Sequence, residues 1–158
     1  MIDVGDEAPD FSLPDQDARE VKLADFRGVP VVLYFYPKAE TPGCTTQACG
    51  VRDHKRDYEQ SGAAVLGISP DKPAKLKKFQ ENQSLNFTLL SDEDHAVAEA
   101  YGVWVQKSTY GKTYFGNERT TFVIDASGRV SDVLRKVKPA EHDEQVLGAL
   151  AAASPPTV

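Results

Sequence analysis

Apolar residues come in short blocks along this chain, and the blocks have two different rhythms. Val31-Val-Leu-Tyr-Phe-Tyr36 is an unbroken run stopped by Pro37. It is too short for a typical helix, so it predicts a strand buried on both faces in the middle of a sheet. Ala63-Ala-Val-Leu-Gly-Ile-Ser69 is a second strand of this kind, and Phe87–Leu90 a short strand or extended segment. Phe11-Ser-Leu13 and Glu20-Val-Lys-Leu23 alternate instead, with Pro14-Asp-Gln-Asp17 between them. They predict a hairpin within residues 8–28, closed by Asp25-Phe-Arg-Gly28, that lies as a lid over one end of the core. A second hairpin joins Thr120–Asp125 to Val130–Lys136 through a turn at Gly128.

The other rhythm is helical. Cys44, Ala48, Val51, Lys55 and Tyr58 recur at steps of three and four. They form one stripe, broken by Lys55, on a helix predicted from Thr41 to about Gln60 and ended by Ser61-Gly62. Arg52, Asp53, Lys55, Arg56, Asp57 and Glu59 form its solvated face. A helix follows Pro70-Asp-Lys-Pro73, with Leu76, Phe79 and Leu85 on its apolar side. A shorter one spans Asp92–Tyr101, with Val97, Ala98 and Tyr101 inward. The last runs from Lys138-Pro139 to about Ala152 on Val146, Leu147 and Leu150. Its acidic first turn (Glu141, Asp143, Glu144) complements the helix dipole. Residues 104–118 have no clear period. They read as a functional loop, or as edge strands Trp104–Lys107 and Lys112–Phe115 around Gly111. The strand–helix–strand order implies parallel pairing through right-handed crossovers.

A length of 158 residues suits a single domain over 1–153, with Ser154-Pro-Pro-Thr-Val158 as a flexible tail. The net charge of −6 leaves no basic excess to neutralise phosphates, which argues against a nucleic-acid partner. The acidic start, Met1-Ile-Asp-Val-Gly-Asp-Glu7, lacks the apolar stretch of a secretory signal. No apolar run approaches the roughly 20 residues of a membrane span. The expected compartment is the cytoplasm. Two cysteines close in sequence are a poor staple for such a domain, and in that compartment they point to redox or metal chemistry.

Cys44 is the chemical centre. Pro37 to Gly43 is a turn, and Thr41-Pro42 reads as a helix start with Thr41 capping and Pro42 in the first helical position. Cys44 then falls in the first helical turn, where unpaired N–H groups and the helix dipole favour a thiolate over a thiol. Thr41 can bring its hydroxyl near the sulfur, and Gly43 allows close approach to the backbone. Cys49 lies five positions on. In an unbroken helix the two are about 140° apart around the axis, with Cα atoms on the order of 8–9 Å apart. That is beyond disulfide range, so a Cys44–Cys49 bond requires the first turns to unwind.

These residues resemble a known family. Pro37-x-x-x-Thr41-x-x-Cys44 is similar to the active-site motif of the peroxiredoxins. The spacing within Thr41-Pro-Gly-Cys-Thr-Thr-Gln-Ala-Cys49 is similar to the bacterioferritin comigratory protein (peroxiredoxin Q) branch. Ala8-Pro-Asp-Phe11, Val65–Pro73, Leu89-Leu-Ser-Asp92, Tyr101-Gly-Val103 and Glu118–Asp125 extend the likeness over most of the chain. The element order fits the thioredoxin-like α/β fold: a central mixed sheet flanked by helices. The N-terminal β-hairpin and residues 85–103 are additions to that core.

The resemblance implies a thiol peroxidase acting on hydrogen peroxide and organic hydroperoxides. Cys44 would attack the peroxide and become a sulfenic acid. Cys49 would resolve it as an intramolecular disulfide, and thioredoxin would reduce that bond. Arg119 matches the family's arginine at the start of strand 120–125, Thr41 would hydrogen-bond peroxide oxygen, and Pro37 would shield the site. The 104–118 segment would border it. No metal, haem or flavin is required, and a monomer can complete the cycle.

Other readings remain. A thioredoxin-type disulfide exchanger shares the fold but normally has a Cys-x-x-Cys spacing, which is missing here. A peroxide-sensing redox relay uses the same first step. A metal module would need close ligand pairs, whereas His54, His95 and His142 are scattered. These histidines read as surface residues. An inert buried thiol suits Cys49 better than Cys44. Tyr34, Phe35 and Tyr36 read as core, Glu40 as solvated, and Trp104 as either active-site mouth or packing.

Overall fold

The computed structural model describes residues 2–153. The tail expected over 154–158 lies outside the described residues. The first elements are β1 (Ser12–Pro14), β2 (Glu20–Lys22), β3 (Val31–Phe35), α1 (Pro42–Asp53), α2 (Lys55–Gln60), β4 (Ala64–Ser69) and α3 (Pro73–Gln83). They are followed by β5 (Thr88–Ser91), α4 (Ala96–Ala100), β6 (Trp104–Thr109), β7 (Lys112–Asn117), β8 (Thr120–Ile124), β9 (Val130–Leu134) and α5 (His142–Ala153).

The central sheet has the order β5-β4-β3-β8-β9. The strand expected in the middle is the middle one. β3 pairs in parallel with β4, and antiparallel with β8. β4 continues the parallel half to β5, and β9 the antiparallel half from β8. This is the mixed sheet of the thioredoxin-like fold.

Alternation along β3 feeds two separate cores. Val31, Leu33 and Phe35 face one cluster with Ile68, Phe122, Tyr101 and the N-terminal hairpin residues Phe11, Leu13 and Leu23. Val32 and Tyr34, with Tyr36 just beyond the strand, face the other. There they meet Cys44, Ala48 and Val51 of α1, Tyr58 of α2, Leu76 and Phe79 of α3, and Val146 and Leu150 of α5. A strand whose two faces both meet core can be apolar at every position.

The structure differs from the sequence reading at several points. The long helix is two: the backbone kinks at His54 (φ −100°, ψ 14°), whose ring Nδ1 sits 2.9 Å from the Gly50 carbonyl oxygen. Arg52 and Lys55 are not merely solvated. Each donates to a backbone carbonyl at or just beyond the end of α3, Arg52 to Gln83 at 2.6 Å and Lys55 to Asn86. Residues 104–118 take the strand alternative, a two-stranded ribbon turning at Tyr110-Gly111. Helix α4 starts only at Ala96. Asp92 is buried and its carboxylate accepts from the Val97 and Ala98 N–H groups, so it caps the helix from outside. Trp104 stacks on His95 with ring centroids 4.1 Å apart and packs, half-buried, against the first cluster.

Two acidic-turn and histidine expectations also change. Asp143 is buried and takes a hydrogen bond from the Tyr58 hydroxyl at 2.6 Å, so it does more than complement a dipole. His142 is fully buried, with Nε2 2.9 Å from the Thr121 hydroxyl. Periodicity places both residues at a helix start but does not say that α1 and α2 pack over it.

Candidate active site

The end of β3 delivers the chain into the turn that carries Pro37, and α1 begins at Pro42 with Thr41 in the N-cap position. The Thr41 hydroxyl does not cap the helix, however. It donates to the Lys38 carbonyl at 3.0 Å. This bond tightens the turn and leaves the hydroxyl's lone pairs available. Helical bonding begins with Thr45 N–H to the Thr41 carbonyl at 2.8 Å. Cys44 therefore sits in the first turn, where backbone N–H groups and the dipole favour negative charge. Its side chain is buried, only 2% exposed, on the inward stripe with Gln47, Ala48 and Val51.

The turn is pinned from two other elements. Asp71, just after β4, accepts the Ala39 N–H at 2.7 Å and the Ser69 hydroxyl at 2.8 Å. Asn117, at the end of β7, donates to the Tyr36 carbonyl at 3.2 Å. Glu40 holds a left-handed backbone (φ 64°) in between, and its exposed side chain accepts from Asn82.

Arg119 completes the site. It lies between β7 and β8, and its carbonyl accepts the Val137 N–H at 3.0 Å. Its guanidinium reaches Cys44 Sγ at 3.3 Å through Nη2 and Gln47 Oε1 through Nη1. A fork-shaped cation can hold two acceptors at once in this way, and it keeps its charge at any working pH. Gly43 allows this. A Cβ there would come within 3.2 Å of Arg119 Nη2. The glycine thus makes room for the protein's own guanidinium as well as for an incoming molecule.

An open groove of about 440 Å³ leads away from Arg119, lined by Val105, Gln106, Lys107, Glu118, Arg119, Lys136 and Val137. Strand β6 of the β6–β7 hairpin forms one wall. Lys107 has its pKa lowered by burial, with the nearby Arg119 charge adding to the effect. Glu118 is tied down by Arg135 at 3.1 Å and by the Thr120 hydroxyl at 3.0 Å.

Both cysteines are free thiols. Cys49 is half-buried, off the stripe, and its Sγ lies 3.5 Å from Gln83 Oε1. Among the described residues no three His, Cys, Asp or Glu side chains converge as a metal ion would need. No helix among them is long and apolar enough to cross a membrane.

The structure brings Cys44 and Arg119 into contact, places Thr41 and Pro37 in the adjoining turn, and keeps Cys49 farther down the same helix. Sequence reasoning missed Gln47, Asp71 and Asn117. Gln47 was detectable, since it lies three positions after Cys44 on the inward side of the helix. Asp71 falls inside the quoted Val65–Pro73 segment, and Asn117 carried no signal.

Residues 4–133 match the model of the AhpC/TSA family. The chain belongs to that family. It is 55% identical over 149 residues to Peroxiredoxin Bcp of Escherichia coli strain K12, an alignment covering 94% of this chain and 96% of the relative. It is 46% identical to Peroxiredoxin Bcp of Bacillus subtilis strain 168, over 94% of this chain and 95% of that one. The fold superposes on the crystal structure of peroxidoxin BcpB from Mycobacterium tuberculosis with a TM-score of 0.88 at 38% identity, covering 98% and 100% of the two chains. The bacterioferritin comigratory protein of Xanthomonas campestris, whose structures concern alkyl peroxide reduction, gives 0.88 at 36% identity over 95% and 98%. As a peroxiredoxin of the AhpC/TSA family, this chain is a thiol peroxidase, with a peroxide as oxidant and a thiol as reductant.

Proposed function

We propose that this peroxidase works through Cys44 as the attacking thiolate and Cys49 as the resolving thiol, on hydrogen peroxide and organic hydroperoxides. The observation that carries the reading is the Arg119 Nη2 contact with Cys44 Sγ at 3.3 Å, in the first turn of α1. The thiolate attacks one peroxide oxygen and the O–O bond breaks. The other oxygen leaves with the electron pair, takes a proton and departs as water or alcohol. Cys44 is left as the sulfenic acid. Arg119 and the first-turn N–H groups stabilise the sulfur anion and the developing charge on oxygen. The Thr41 hydroxyl hydrogen-bonds the peroxide, and Pro37 shapes and shields the turn.

Cys49 then attacks the Cys44 sulfur. An S–S bond forms, the S–O bond breaks, and water leaves. An external dithiol reduces the disulfide by exchange, and thioredoxin suits that role. With both thiols in one chain, a monomer in the cytoplasm completes the cycle. The alkyl-peroxide work on the Xanthomonas relative supports including organic hydroperoxides. The deep burial of Cys44 favours this reading over a disulfide exchanger, because a small peroxide reaches a sulfur that a protein disulfide does not.

Anaerobic titration of the reduced protein with hydrogen peroxide tests it, with free thiols counted and bonds mapped by mass spectrometry. The expected result is rapid loss of both thiols and one Cys44–Cys49 disulfide. Loss of Cys44 alone would remove Cys49 from the cycle. Loss of neither, with fast disulfide exchange, would overturn the assignment of Cys44.

A further inference from the structure

Four residues from three helices and one kink meet beyond the second cysteine. Gly50 is the next residue after Cys49. A side chain there would run into Asp143 Oδ2, so the α1 backbone lies directly against the carboxylate. The other carboxylate oxygen accepts the Tyr58 hydroxyl at 2.6 Å. His54 Nδ1 lies 2.9 Å from the Gly50 carbonyl oxygen and 3.6 Å from Asp143 Oδ2. Helix α1 is thus joined to α2 and α5 at one point.

The opposite side of the same turn is tied as well. Arg52 donates to the Gln83 carbonyl at 2.6 Å, and Asn86 donates to the Arg52 carbonyl at 3.2 Å. Among the described residues no comparable set of polar ties grips residues 42–49, whose Cys44 and Ala48 are held by core packing. Their polar contacts to other elements converge on one side chain, Arg119, at Cys44 and Gln47, with a single thiol contact from Cys49 to Gln83. Two of those three contacts involve a reacting thiol.

We propose that Asp143, with Tyr58 and His54, forms a clasp that fixes α1 from Gly50 onward and confines the unwinding that joins Cys44 to Cys49 to residues 42–49. Asp143 then acts on the resolving step by restraining the helix opening that precedes it. Cys49 stays on an anchored stump while the turn bearing Cys44 swings to it. The clasp stops the unwinding from spreading into α2 and sets how often the helix opens. The part concerning the resolving step rests on Cys49 being the resolving thiol; the unwinding boundary does not.

Two measurements on the full chain test it. The first is amide hydrogen exchange on the reduced protein. Protection should step up at the Cys49–Gly50 boundary, and in Asp143→Ala the weakly protected stretch should extend through His54. Absence of the step, or an unchanged pattern in the variant, overturns the clasp whatever Cys49 does. The second is rapid-quench kinetics with sulfenic acid trapping. In Asp143→Ala, which removes the acceptor of the Tyr58 hydroxyl, sulfenic acid formation should keep its wild-type rate while disulfide formation speeds up about three- to tenfold, the scale of one lost hydrogen bond.

Tyr58→Phe removes only a hydroxyl and should shift the same phase in the same direction, which guards against a misfolded Asp143 variant. A resolving rate unchanged or slower, or both phases altered in proportion, overturns this restraint on opening. If the wild type forms no Cys44–Cys49 disulfide, the Cys49 reading and Asp143's role in resolution fail together. The exchange boundary then decides the clasp alone.

Discussion

The two halves of α1 are held by different means. The first half carries Cys44 and meets the rest of the protein's polar groups mainly through Arg119, a charged residue that also faces the reacting sulfur. The second half is fastened by ordinary structural bonds: Arg52 to Gln83, Asn86 to Arg52, and Asp143 against Gly50 with Tyr58 behind it. The polar contacts of the first half are therefore contacts to the chemistry, and oxidation of the sulfur changes them. Contacts at the second half are indifferent to it. A single helix of 12 residues can in this way be reactive at one end and fixed at the other.

The largest effect that separates the halves is chemical. Cys44→Ser should abolish peroxide turnover in a reductant-coupled assay while the unfolding midpoint stays close to wild type. Measurable turnover would mean the reactive end lies elsewhere.

Arg119→Met comes next. It removes the charge beside the sulfur, and the second-order rate of Cys44 oxidation should fall by about 10²–10³, the loss typical of one anion-stabilising donor. Stopped-flow oxidation of the reduced protein reads this directly. A drop of less than about tenfold would show that the helix terminus alone activates the thiol.

His142 is linked to both halves: it is next to Asp143 in sequence, and the Arg119 charge acts on it. Burial, with the Arg119 charge adding to it, lowers its pKa to about 4. In the unfolded chain the value is about 6.5, so the unfolded state binds a proton first as pH falls. The contribution to stability is complete above about pH 6.5 and is lost as pH drops towards about 4, up to about 3 kcal/mol. Asp143, whose pKa burial raises, works in the opposite sense over the acid range. Denaturant unfolding at a series of pH values should show the decline in wild type and a flatter profile in His142→Asn. Equal slopes in both would assign the acid sensitivity elsewhere.

The smallest effect is Gly50→Ala. The added methyl collides with the Asp143 carboxylate, so stability should fall by about 1–3 kcal/mol through overpacking. Peroxide oxidation of Cys44 should persist, because the change is confined to the fixed half. Urea denaturation paired with the oxidation rate separates the two outcomes.

Much of the fold was legible in the residues. The unbroken apolar run at 31–36 named the central strand, because a strand with core on both faces has no polar position. The stripe from Cys44 to Tyr58 named the buried side of α1 and α2. The kink at His54 was not legible, since no proline or glycine marks it there. The ribbon at 104–117 was one of two open readings, because paired strands outside the main sheet with exposed Tyr110, Tyr114 and Phe115 show no core-facing alternation.

The candidate site divides in the same way. Local spacing alone determined that Cys44 opens a helix, that Cys49 lies too far along it for a disulfide in the folded helix, and that Thr41 and Pro37 stand in the preceding turn. These are consequences of helical geometry and of proline and glycine stereochemistry, which act over a few residues. Resemblance to a family brought in Arg119, which residue chemistry by itself left between surface and site. Only the tertiary structure decided that its guanidinium meets a sulfur 75 positions earlier, that Asp143 lies on Gly50, and that His142 is shut away from water. Such contacts depend on how β8 and α5 pack against α1, and no periodicity within one segment encodes where another segment's side chain will arrive.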